Sequence, residues 1–136
     1  MSELHTALLA LIVEDSADLN ELFTEALRES GFQTESIYDG EVAAARLREL
    51  VPDLVLLDLH LPFVSGADLL EQIRQDGRLA STQVIVASAD GTWSTYLLDE
   101  ADFVLNKPVS YIQLRDLAAR ILQELDTAGF TKKDAD

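Results

Sequence analysis

Short unbroken apolar runs alternate along the chain with longer stretches in which apolar residues return every three or four positions. Leu8-Leu9-Ala10-Leu11-Ile12-Val13 has no polar alternation, so it reads as a parallel strand buried on both faces. Leu54-Val55-Leu56-Leu57 and Val84-Ile85-Val86-Ala87 have the same character, and Phe103-Val104-Leu105 is a shorter version. Phe32 to Ile37 is more polar, as an edge strand would be. Leu19, Leu22, Phe23, Ala26 and Leu27 mark one face of a helix, and Gly31 stands where a left-handed C-terminal residue is wanted. Asp39 caps a second helix through Val42, Ala43, Leu47 and Leu50, which stops before Pro52. A loop with Pro62, Ser65 and Gly66 leads to a third, carrying Leu69, Leu70 and Ile73. Thr92 to Glu100 is poorly patterned and predicts a fourth helix that is short or irregular. Ser110 with Gln113 forms a capping box, and Val109 with Leu114 a hydrophobic staple. They start a last helix whose stripe is Leu114, Leu117, Ala118, Ile121, Leu122 and Leu125.

Five βα units predict an α/β fold, a doubly wound five-stranded parallel sheet in the order 2-1-3-4-5 with five helices, flavodoxin-like. One domain is expected over 7–126, with tails at 1–6 and 127–136, the second polar and fraying from Gly129 onward.

Composition narrows the function classes. The chain has 136 residues, 48% of them apolar, which suits one globular domain. A net charge of −15 repels phosphate backbones and anionic lipid, so neither nucleic acid nor membrane is an expected partner. The longest apolar run is too short for a bilayer and lacks the basic flank of a signal peptide. With no Cys there are no disulfides or thiolate metal sites, and a cytoplasmic setting is the plain reading.

The predicted strand ends carry the chemistry. Strand one runs into Glu14-Asp15, strand three into Asp58, strand four into Ser88 and strand five into Lys107. In a doubly wound sheet these positions open onto one crevice. Three carboxylates there repel one another unless a hard divalent cation neutralises them, and magnesium suits few protein oxygens with several waters. Lys107 adds a fixed positive charge, Ser88 a hydroxyl, and the N–H groups after Asp58 and Ser88 could complete an anion cradle. Carboxylate nucleophile, metal and cation are the equipment for phosphoryl transfer to an aspartate.

Glu14-Asp15, Asp58-Leu59-His60-Leu61-Pro62, Gly66, Val86-Ala87-Ser88-Ala89 and Lys107-Pro108 together resemble the receiver domain of two-component response regulators. The match runs in order from about Ala7 to Leu125. The resemblance implies that Asp58 is phosphorylated by a histidine kinase, a phosphotransfer protein or a small phosphodonor. It implies a magnesium (or manganese) site of Glu14, Asp15, Asp58 and the backbone carbonyl of His60. Lys107 corresponds to the lysine that contacts the phosphoryl group, Ser88 to the switch hydroxyl, and a cis peptide is implied at Lys107-Pro108. His60 and Asp90 occupy positions that tune dephosphorylation. Two departures bear on output. Val104 stands where the family often has a rotating aromatic, with Phe103 turned to the opposite face. The stretch between Ser88 and Lys107 is shorter than usual, at the place of the fourth helix.

Weighed singly, Glu14 and Asp15 could be a solvated loop start, Ser88 a loop hydroxyl and Lys107 a surface lysine. Trp93, Tyr96, Leu97 and Leu98 read as local packing or an exposed patch. A topoisomerase-primase site or an aspartate-nucleophile phosphatase would each need Asp where this chain has His60. A pseudo-receiver that binds partners without phosphorylation is the remaining alternative. The expectation is a single-domain response regulator, not a conventional enzyme, with an unknown downstream protein and a possible homodimer. A DNA-binding domain has no room after Leu125 if the chain is complete.

Overall fold

The computed structural model describes residues 7–89 and 99–135, with side chains through 127. Five parallel strands form one sheet in the order β2-β1-β3-β4-β5. The strands are β1 (Leu9–Val13), β2 (Gln33–Ile37), β3 (Leu54–Asp58), β4 (Gln83–Ser88) and β5 (Phe103–Asn106). The helices among the described residues are α1 (Ala17–Ser30), α2 (Gly40–Glu49), α3 (Gly66–Gln75) and α4 (Tyr111–Ala135). The irregular fourth helix expected from sequence lies outside the described residues, apart from helical Asp99 and Glu100.

Strand alternation divides the core into two layers. Ala10, Ile12, Leu54, Leu56, Ile85 and Ala87 face Phe23, Ala26 and Leu27 of α1 and Leu114, Leu117, Ala118 and Ile121 of α4. Leu11, Val13, Val55, Leu57, Val84 and Val86 face Ala43 and Leu47 of α2 and Leu69, Leu70 and Ile73 of α3. The three central strands are covered on both faces, which is why their sequences show no alternation. The edges are more open, β2 with an exposed Gln33 and β5 with an exposed Asn106. Leu22 and Val42, expected on core faces, are instead 37% and 47% exposed. Each sits at the margin of its helix's stripe, where neighbouring Phe23 and Ala43 take the buried place.

The caps read from sequence form as hydrogen bonds. Asp39 accepts from the Val42 N–H at 2.8 Å and Ser110 from the Gln113 N–H at 3.3 Å. Gly31 adopts φ 120° and donates its N–H to the Arg28 carbonyl, ending α1. The helix α4 continues through residues expected to be a fraying tail. The segment holds no proline, and one Gly lowers helix propensity by only about 1 kcal/mol. Arg74 of α3 donates to the carbonyls of Glu100 and Thr82 and to the carboxylate of Asp102, which also accepts from Val84 N–H. That fork fixes the approach to β5, and so the strand that delivers Lys107.

Candidate functional site

The C-terminal ends of β1, β3, β4 and β5 meet at one edge of the sheet. Parallel register sets Asp58 beside Ala87 and Ser88 beside Asn106. Glu14, Asp58 and Ser88 are nearly inaccessible, with exposures of 1%, 3% and 1%, whereas Asp15 is exposed. Carboxylate oxygens of Glu14, Asp15 and Asp58 all lie within 4.8 Å of one another. Strand pairing thus brings the adjacent pair Glu14-Asp15 together with Asp58 and Ser88, which the chain places far apart.

Lys107 bridges the buried acids. Its Nζ donates to Glu14 Oε1 at 2.8 Å and stands 3.4 Å from Asp58 Oδ1. The Lys107 N–H donates to the Ser88 carbonyl at 2.9 Å, so β4 holds the backbone from which the side chain reaches inward. The Lys107–Pro108 peptide is cis, as the resemblance implied. Burial raises the Glu14 carboxyl above its ordinary value, and the hydrogen bond from Lys107 offsets part of the rise. Burial alone would lower Lys107, but the carboxylates of Glu14 and Asp58 outweigh it and hold the ammonium above its usual range.

The anion cradle differs from expectation in one respect. The Leu59 N–H donates to the Ala87 carbonyl at 3.2 Å and continues the sheet ladder. The His60 N–H donates to Asp58 Oδ1 at 3.1 Å, orienting the carboxylate. The exposed His60 side chain lies at the rim. Val104 pairs with Val86 and is half-buried, while Phe103 and Leu105 pack in the layer of α1 and α4. No aromatic of β5 therefore shares the Val104 face. Asp90, Trp93, Tyr96, Leu97 and Leu98 lie outside the described residues.

Two features escaped the sequence reading. Asn20, in the second turn of α1, is completely buried. Its Nδ2 donates to the carbonyls of Glu14 and Ile37, both at 2.9 Å. Gly66 opens α3 hard against the loop: a Cβ there would overlap the Asp58 carbonyl and stand 2.6 Å from Leu59 Cα. The turn-forming role of Gly66 was visible in its neighbours Pro62 and Ser65, but the contact was not.

The donor set fits a hard cation. Three carboxylates supply the oxygens magnesium prefers, and the exposed Asp15 leaves a side open to water. Both Glu14 oxygens are already engaged, Oε1 by Lys107 and Oε2 by the Ser16 N–H at 3.0 Å, so Asp15 and Asp58 are the more available ligands.

A family model for the response regulator receiver domain matches residues 10–119. The chain belongs to the response regulator receiver family. This receiver domain is 36% identical over 115 residues to the DNA-binding response regulator MtrA of Mycobacterium tuberculosis strain H37Rv, covering 85% of this chain and 49% of that protein. It is 36% identical over 106 residues to the phosphate regulon transcriptional regulatory protein PhoB of Rhizobium meliloti, covering 76% and 47%. The chain spans about half the length of the curated relatives it matches. Among solved structures, the signal receiver domain of a putative Luxo repressor protein from Vibrio parahaemolyticus superposes with TM-score 0.82 and 28% identity, over 93% of this chain and 98% of that one. A CheY-like receiver domain from Methylobacillus flagellatus gives 0.77 and 29%, over 85% and 99%. A receiver domain works in a two-component phosphorelay with a histidine kinase or phosphotransfer partner, and the family binds magnesium at an acidic pocket. Among the described residues no helix is long and apolar enough to cross a membrane.

Proposed function

We propose that Asp58 is the phosphoacceptor of this receiver domain and takes the group from a phosphohistidine on a kinase or phosphotransfer protein. One observation carries the reading: Lys107 Nζ lies 2.8 Å from Glu14 and 3.4 Å from Asp58, in a cluster that Asp15 completes. In the transfer an Asp58 oxygen attacks phosphorus, the P–N bond of the donor breaks, and the imidazole nitrogen keeps the electron pair. The Lys107 ammonium offsets charge on the phosphoryl oxygens. Glu14, Asp15, Asp58 and the His60 carbonyl would hold magnesium or manganese, which when bound screens the nucleophile from those oxygens. Ser88 serves as the switch hydroxyl, and Val104 stands at the position where the family often has a rotating aromatic. His60 and Asp90 tune the lifetime of the phosphoryl group.

The product stays on the chain, so this is a phosphoacceptor rather than a conventional enzyme. Phosphorylation then changes the binding of a downstream protein or a second copy. A stand-alone role belongs to the proposal, and the mass of the protein in extracts of its source tests it. For the chemistry, a small phosphodonor with magnesium labels the wild type stoichiometrically and leaves Asp58→Asn unlabelled. Undiminished labelling of Asp58→Asn sinks the assignment. An unlabelled wild type points instead to a phosphorylation-independent interaction module.

A further inference from the structure

Glu14 is held on both sides of its Cα. Its N–H donates to the Ile37 carbonyl at 3.0 Å, and its carbonyl accepts from Asn20 Nδ2 at 2.9 Å. The peptide leading into Asp15 is therefore anchored by one side chain from α1. The same Nδ2 donates to the Ile37 carbonyl at 2.9 Å and lies 3.4 Å from the Ile12 carbonyl. An amide nitrogen has two protons, so the Glu14 and Ile37 carbonyls take them and Ile12 shares one.

The amide is oriented from behind. Thr24 Oγ1 donates to Asn20 Oδ1 at 3.0 Å, and Thr24 and Ser36 hydroxyls meet at 2.8 Å. With its proton committed to Asn20, Thr24 accepts from Ser36. The order runs Ser36 to Thr24 to Asn20 to the Glu14 carbonyl, from the β2 edge to the acidic turn. A flipped amide would set Oδ1 against three carbonyl oxygens, so the carbonyls select the orientation and the Thr24 hydroxyl, donating to Oδ1, holds the amide in it.

We propose that Asn20 is a positioning residue for metal binding, holding the Glu14–Asp15 turn in the geometry that presents Asp15 beside Asp58, with Thr24 fixing its amide. The proposal rests on the reading of Glu14, Asp15 and Asp58 as a cation site. A purely structural role, satisfying buried carbonyls where β1 and β2 end, is what it must be separated from.

Calorimetric titration of the metal-free full chain with magnesium alone separates the two. Asn20→Leu keeps the branching and the number of side-chain heavy atoms and removes both donors. Ile73→Ala destabilises the opposite layer of the sheet without touching the turn. Asn20→Leu is expected to weaken magnesium about 10- to 100-fold, as loss of a supporting partner typically does. Ile73→Ala is expected to bind within about twofold of wild type, at temperatures where both variants are folded. Thr24→Val, the variant to use if Asn20→Leu does not fold, is expected to fall between them. Wild-type affinity in Asn20→Leu or Thr24→Val, or an equal loss in Ile73→Ala, overturns the proposal. Asp15→Asn in the same series guards the underlying reading: if it binds like wild type, the cation site itself is wrong.

Discussion

Lys107 Nζ donates to Glu14 Oε1 at 2.8 Å across 93 residues of sequence, and the carboxylate it meets is almost wholly buried. A buried carboxylate left without its cation is far costlier than a surface ion pair is helpful. Lys107→Met is therefore expected to destabilise the metal-free protein at neutral pH by about 3 kcal/mol. The pH dependence has a definite sign. Burial already raises the Glu14 carboxyl, and losing Lys107 removes the hydrogen bond that lowers it. A raised folded-state value means a penalty that grows as pH climbs through it and is absent once both states are protonated. Urea unfolding at pH 7.5 and at pH 5 should show the gap between variant and wild type narrowing at the lower pH. A gap that stays constant would mean that Glu14 does not sense Lys107.

Gly66 sits against the backbone of the proposed acceptor, and no flexible side chain is available there to yield. The atoms a Cβ would meet are the Asp58 carbonyl, Leu59 Cα and the Asp58 carbonyl carbon, all main chain. Gly66→Ala must move the 59–65 loop or the start of α3. We expect it to lower stability by about 1 to 3 kcal/mol and slow labelling by a small phosphodonor more than tenfold. The displaced backbone carries Asp58 and leads into the His60 carbonyl, both proposed magnesium ligands, so magnesium affinity should fall together with the labelling rate. Equal rates for variant and wild type would show that the loop can give way freely.

Phe63, in the same loop, has φ 70° and is 85% exposed. A bulky residue in the left-handed region is strained, and this one recovers little by burial. Asn tolerates that conformation much better. Phe63→Asn is expected to raise stability by about 1 kcal/mol, seen as a higher urea midpoint with an unchanged slope. Labelling by a small phosphodonor should be unaffected, since the Phe63 side chain is exposed to solvent. A lower midpoint would mean that the ring has a packing role in solution.

What could be read from sequence follows from which interactions are local. Leu54 to Leu57 announces a strand buried on both faces because four consecutive apolar residues leave no polar face, and Asp39 announces a cap because its donor, the Val42 N–H, lies three residues away. Asp58, Ser88 and Lys107 were legible as a site since strand topology alone brings their positions together. Asn20 was not. On a helix wheel it is one more polar residue, and its value comes from carbonyls on two strands that no spacing reveals. The Gly66 contact and the use of the Leu59 N–H by the Ala87 carbonyl depend in the same way on how the loop lies over β3 and β4.

Arg46 of α2 offers a test of the fold away from the site. Its Nε and Nη2 donate to the two oxygens of Glu35 on edge strand β2 at 2.6 and 2.9 Å. That fork holds the Glu35 carboxyl below its ordinary value, chiefly through the hydrogen bonds from Arg46. A depressed folded-state value contributes stability above the unfolded-state value, and the contribution disappears as pH falls through the folded one. Both side chains are about one-third exposed, so the pair is worth at most about 1 kcal/mol. Arg46→Met should accordingly be less stable than wild type at neutral pH. The difference should shrink as pH falls through the depressed folded-state value of Glu35 and vanish once the carboxyl is protonated in both proteins. High salt should also reduce it, because these charges are partly screened. If the difference persists unchanged in acid, the loss comes from the packing of the Arg46 stem on β2 rather than from its charge.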